Sequence, residues 1–177
     1  MQAAPKEPGL HEELGDAYWA TYKLQQADDA YAEEIKIDPG NTAALYKLGS
    51  LRVTRNDVSS GLPLLQRVLA DDPELSDAHY YVGKAEAALG KDDAAIDQFK
   101  LATVDKNAEE LRIMSWYQLA MLDRREHRSQ EAGEALTRFR QMKSARDLRQ
   151  EKLFQETEKR REQLPVQEPI PDEPPAP

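Results

Sequence analysis

Apolar residues in this chain return at steps of three and four, the spacing that gathers them on one side of an α-helix. Leu10, Leu14, Ala17 and Tyr18 make one such run, and Leu45, Leu48 and Leu51 make another. The runs are short. Turn signals cut them at Gln25-Gln26, Asn56-Asp57, Gly90-Lys91 and His127-Arg128. The pattern predicts pairs of helices, each pair joined by a tight turn.

The pairs repeat. Gly15, Gly49 and Gly83 stand 34 residues apart, each preceded by an apolar residue (Leu14, Leu48, Val82). Twelve residues after each glycine comes a small residue (Ala27, Gly61, Ala95), and four further on a large apolar one (Tyr31, Leu65, Phe99). Pro39 and Pro73 close the first two units, and Asn107 takes the third slot. A fourth unit, Trp116-Tyr117-Gln118-Leu119-Ala120, arrives three residues late, with Ala120 in the glycine slot and Ala132 and Leu136 behind it. The delay falls between Asn107 and Ile113, so the spacing predicts a longer first helix starting near Ala108, or a looser connection. Small residues let two antiparallel helices approach closely. Asp-Pro at 38–39 and 72–73 ends the second helix, because a residue before proline is pushed out of the helical region. One such pair cannot bury its apolar side alone, so the pairs stack.

The 34-residue period, the small residues, the large apolar residue four later, the closing proline and the opening at Trp116 resemble the tetratricopeptide repeat, over about residues 8 to 142. The resemblance implies an all-α fold, a right-handed superhelical stack of about four helix-turn-helix repeats at 8–41, 42–75, 76–109 and 110–143. Residues 1–7 would form an N-terminal arm, 144–163 a C-terminal capping helix and 164–177 a Pro-rich tail. Two positions depart from the family pattern. Pro63 lies early in the second helix of repeat two, which requires that helix to begin at about Ser59 or Ser60 so that proline stays in the first turn. The aromatic slot opening each repeat holds His11, Leu45, His79 and Trp116, and only the last fits.

No glycine or proline interrupts the chain between Glu134 and Leu164, so the last helix either runs on through Lys143-Ser144-Ala145 or breaks there and restarts. Its large apolar residues beyond Ser144 are Leu148, Leu153 and Phe154; Lys152, Glu156 and Arg160 alternate in sign at helical spacing. Arg146, Arg149 and Arg160 intrude on any heptad seam, which argues against a coiled coil. Residues 165–177 are Pro-rich and acidic and cannot support a packed core. Repeat one begins almost at residue 8 without a cap, which leaves open either further chain upstream or a short arm covering the first helix.

Composition narrows the function. The 177 residues carry a net charge of -9, opposite to what phosphate binding needs, so nucleic acid is not an expected partner. No apolar run approaches the roughly 18 residues of a membrane span, and the N-terminus has no signal-like stretch. Cysteine is absent. His11 and His79 share a packing slot in repeats one and three, too far apart to share a metal. Asp28-Asp29, Asp71-Asp72 and Asp92-Asp93 read as helix-end residues. With no phosphate loop, nucleophile elbow or zinc spacing, no enzyme, cofactor or metal site is expected.

In the family, the first helix of each repeat lines a concave surface that often takes an extended peptide. The resemblance places Glu12, Asp16 and Trp19 there from repeat one, Tyr46 and Ser50 from repeat two, Tyr80 and Lys84 from repeat three, and Tyr117, Met121, Arg124 and Arg125 from repeat four. Tyr46, Tyr80 and Tyr117 form a ladder of equivalent positions suited to binding. Residues 1–41 carry three basic and nine acidic residues, whereas 110–143 carry seven and five, so the face would orient a polar partner. Glu12 and Asp16 stand where some relatives use Lys and Asn to hold a peptide carboxylate, which opposes that mode. The expected function is a non-enzymatic scaffold binding a protein or peptide segment. The alternative is a self-assembling module, a homodimer through the C-terminal helix or the first repeat.

Overall fold

A computed structural model describes residues 7–104 and 109–162. Among them are eight helices and no strand: α1 (Leu10–Ala20), α2 (Leu24–Ile37), α3 (Thr42–Thr54), α4 (Val58–Asp71), α5 (Ser76–Ala88), α6 (Asp92–Ala102), α7 (Glu109–Arg125) and α8 (Ser129–Glu162). Helices α1 and α2, α3 and α4, and α5 and α6 pair as hairpins, and each hairpin packs on the next.

Every hairpin tip is the same three-residue turn. The third tip residue donates its N–H five residues back (Lys23 to Tyr18, Asp57 to Arg52, Lys91 to Glu86, Arg128 to Asp123), and the second donates three back. This double bond closes a helix end through a residue in the left-handed region. That residue is Tyr22 (φ 57°), Asn56 (φ 67°), Gly90 (φ 74°) and His127 (φ 59°). The first tip is therefore Thr21–Lys23, and Gln25-Gln26 lies inside α2 instead of forming the turn. The sequence signal failed there because tyrosine is an unusual occupant of positive φ.

The small residues sit at the crossings. A Cβ on Gly15 would overlap the Tyr31 ring, one on Gly49 would come 2.8 Å from Leu65, and one on Gly83 would come 3.0 Å from Phe99. Repeat two crosses glycine on glycine: a Cβ on Gly61 would lie 2.8 Å from the Gly49 carbonyl oxygen. The third crossing continues into the fourth. Tyr80, Ala95, Phe99, Leu119, Ala120 and Ala135 join one buried cluster.

Asp38 and Asp72, each before a proline, cap α2 and α4. Pro63 is deeper than expected, because α4 starts at Val58 with Asp57, not a serine, accepting from the Ser60 N–H. Helix α7 has 17 residues against 13 in α5, the longer first helix that the late fourth repeat called for. Asn107 lies outside the described residues, as do 1–6 and 163–177.

By contacts the chain divides into Met1–Phe139 and Arg140–Pro177. In the second unit α8 is uninterrupted at Lys143-Ser144-Ala145, so no separate helix begins at residue 144. Leu148, Leu153 and Phe154 are exposed on it.

Candidate functional site

The front of the array is tied together by a polar chain. Gly9, at the N-cap of α1, has no side chain to satisfy the orphan N–H groups of the first turn. Glu34 of α2 supplies the acceptor: fully buried, its Oε1 takes the Gly9 N–H at 2.6 Å and the Asn41 amide at 3.3 Å. Burial pushes its carboxyl up, but the Gly9 N–H, the Asn41 amide and the N–H groups of Glu12 and His11 outweigh burial and hold it below the usual range. Asn41 also donates to Glu12 at 3.0 Å. Lys47 of α3 then bridges Glu12 and Asp16, each at 2.7 Å, and the Tyr31 hydroxyl donates to Asp16 at 2.7 Å. Burial opposes the Lys47 charge, and the two carboxylates more than offset it, so its pKa rises.

Beside this chain, on the side of α1, α3 and α5, lies a cavity of about 240 Å³. Trp19, Tyr46 and Tyr81 wall it, with Tyr31 also lining it; Asp16, Lys47 and Ser50 give it polar edges. Trp19 is 43 % exposed. The Tyr46 and Tyr81 rings meet edge-on, 5.9 Å between centroids, and burial with the nearby Asp77 charge raises the pKa of both hydroxyls.

The tyrosine ladder does not form. Tyr80 is 2 % exposed and packs on Phe99, with its hydroxyl against the Met114 sulfur at 3.8 Å. Burial, helped by Tyr81 and Glu110, pushes that hydroxyl up to about 12. Met114 stands six residues before Ala120, the slot that Asp77 fills six before Gly83, so Tyr80 meets a thioether where Tyr46 has a carboxylate nearby. Glu110 comes from the added turn of α7. Tyr46 is half-buried, and Tyr117, 43 % exposed, lies against Phe139. Tyr81, which the repeat register did not single out, takes the cavity position instead.

The other expected face residues fare unevenly. Ser50 is buried, its hydroxyl on the Lys47 carbonyl. Lys84 is half-buried, and burial lowers its pKa. Met121 is half-buried and Arg124 exposed. Arg125 is paired with Asp92 of α6, and Arg128 with Asp93, so Arg125 serves contact between repeats and is not an open anion contact. Glu12 and Asp16 both bond Lys47; Glu12 is largely covered, whereas the Asp16 side chain stays 50 % exposed.

The tetratricopeptide repeat family matches residues 46–109. No curated protein matches the sequence. Among solved structures, MamA 41-end from Desulfovibrio magneticus RS-1 superposes with a TM-score of 0.70 at 23 % identity, over 80 % of this chain and 78 % of that one. MamA of AMB-1 gives 0.69 at 22 % identity, over 82 % and 84 %. Over residues 46–109 the chain matches this family, and its stacked helical hairpins are the tetratricopeptide-repeat fold. At these identities the likeness to MamA is one of fold.

The remaining polar groups of the tetratricopeptide array serve its packing. His79 is buried between the Gln98 side-chain oxygen (2.6 Å) and the Pro73 carbonyl (2.9 Å), and His11 is half-buried. Asp28 lies within α2, not at its end, and takes a two-pronged bond from Arg52 at 3.0 and 2.9 Å. No described helix is long and apolar enough to cross a membrane. Lys47 and Tyr81 were not legible as site residues because their roles depend on pairing across repeats. The one clue was that Lys47 sits a repeat beyond two carboxylates.

Proposed function

We propose that this protein is a non-enzymatic scaffold whose first-helix face binds an extended segment of a partner protein. The observation that carries the reading is the cavity walled by Trp19, Tyr46 and Tyr81, with partly exposed aromatic surface next to fixed polar groups. Aromatic rings of this kind supply large contact area at low entropy cost. Lys84, Tyr117, Met121 and Arg124 extend the surface along the array; Tyr80 does not take part. Peptides selected from a displayed library against the full chain test the reading. Trp19→Ala and Tyr117→Ala should each weaken the selected peptides by about tenfold or more, with the thermal midpoint nearly unchanged. Selected peptides that bind both variants as tightly as the parent would refute it.

A second reading, self-association into a homodimer through α8, is favoured by the exposed Leu148, Leu153 and Phe154. Sedimentation over a wide concentration range decides it. A dimer that disappears on truncation after Lys143 supports it, and a monomer throughout removes it.

A further inference from the structure

We infer that the cavity between α1, α3 and α5 receives a cationic side chain of the bound segment, an arginine. The inference rests on the scaffold reading and specifies its chemistry. The cavity, about 240 Å³, is smaller than the roughly 300–1,000 Å³ of small-molecule sites, and suits a single side chain. Trp19, Tyr46 and Tyr81 line it, and the face of an aromatic ring attracts a cation through its quadrupole. A planar guanidinium stacks on such rings and bonds a carboxylate in the same plane.

Charge points the same way. Glu12 and Asp16 face one ammonium, Lys47, which leaves the cluster one negative charge in excess. Asp77 adds a further negative field at the Tyr46 and Tyr81 hydroxyls. Asp16 uses Oδ1 for Tyr31 and Oδ2 for Lys47, yet its side chain is 50 % exposed. Each carboxylate oxygen carries a second lone pair, so Asp16 can accept from an incoming guanidinium while keeping both partners. An apolar occupant would strip water from Asp16 and return no hydrogen bond. An anionic occupant would find Lys47 already bonded to both Glu12 and Asp16 and would sit beside the exposed Asp16 carboxylate.

The test uses the full chain labelled with 5-fluorotryptophan. Its two tryptophans, Trp19 in the cavity and Trp116 elsewhere, give one reporter and one internal control by fluorine NMR. The probes are the peptide acetyl-Gly-Ser-Arg-Ser-Gly-amide and the same peptide with citrulline, which keeps the shape and removes the charge. The arginine peptide should shift the Trp19 signal saturably and leave Trp116 in place. The citrulline peptide and the Asp16→Asn variant should each weaken the response by about tenfold or more. Equal response to both peptides, or an undiminished response in Asp16→Asn, overturns the cationic subsite. So does no Trp19 shift up to about 10 mM arginine peptide, the weak limit for a single side-chain contact. In those cases library peptides lacking basic residues, yet sensitive to Trp19→Ala, would leave the scaffold reading standing. A library yielding no ligand sensitive to Trp19→Ala or Tyr117→Ala would remove that reading instead.

Discussion

Tyr46 and Tyr80 occupy one repeat position, 34 residues apart, and meet different fates. Over Tyr46 the next first helix brings Asp77 near the hydroxyl, and the ring stays half-buried beside an open cavity. Over Tyr80 the equivalent neighbour is Met114, the ring packs on Phe99, and it becomes core. Repeat register sets where a side chain starts. The neighbouring repeat decides whether water reaches it.

The widest separation between the two tyrosines should appear on truncation. Tyr80→Ala removes a fully packed ring and should cost about 3–5 kcal/mol, whereas Tyr46→Ala should cost about half of that. Urea unfolding of the two variants measures the gap, and equal losses would erase the distinction. Next in size, Gly83→Leu should wedge α5 from α6 against Phe99 and cost roughly 1–3 kcal/mol by thermal unfolding. A variant as stable as the parent would mean that the crossing tolerates bulk.

The front of the array should show a pH signature set by Glu34. Glu34 has a folded pKa below its ordinary 4.5, so its stabilisation is present above that value and lost as pH falls through the folded pKa. Glu34→Gln should therefore be less stable than the parent by about 1–2 kcal/mol at neutral pH, with the gap closing on acidification. A gap independent of pH would assign the loss to packing alone. The smallest effect is at the tips. Tyr22→Gly and His127→Gly relieve a left-handed conformation and should each gain up to about 1 kcal/mol, while Asn56→Gly should change little.

Much of the fold was legible because it repeats. The glycine and alanine slots, the Asp-Pro stops and the lengthened α7 follow from spacing and local sterics. The first tip was misplaced because Tyr22 carries no turn signal, and Pro63 because the capping residue is Asp57 rather than a serine. The face was less legible. Glu12, Asp16 and Arg125 were placed on the right helices, but whether each charge is open or spent depends on Lys47 and Asp92, which belong to neighbouring repeats. No window the length of one hairpin contains both partners.

The four tips share one backbone path across Thr21–Lys23, Arg55–Asp57, Leu89–Lys91 and Glu126–Arg128. They behave as interchangeable cassettes. Exchanging one for another alters what solvent meets at that edge, while the helices on either side receive the same angle and the same phase. New sequence can enter the molecule at these points without a message reaching its interior.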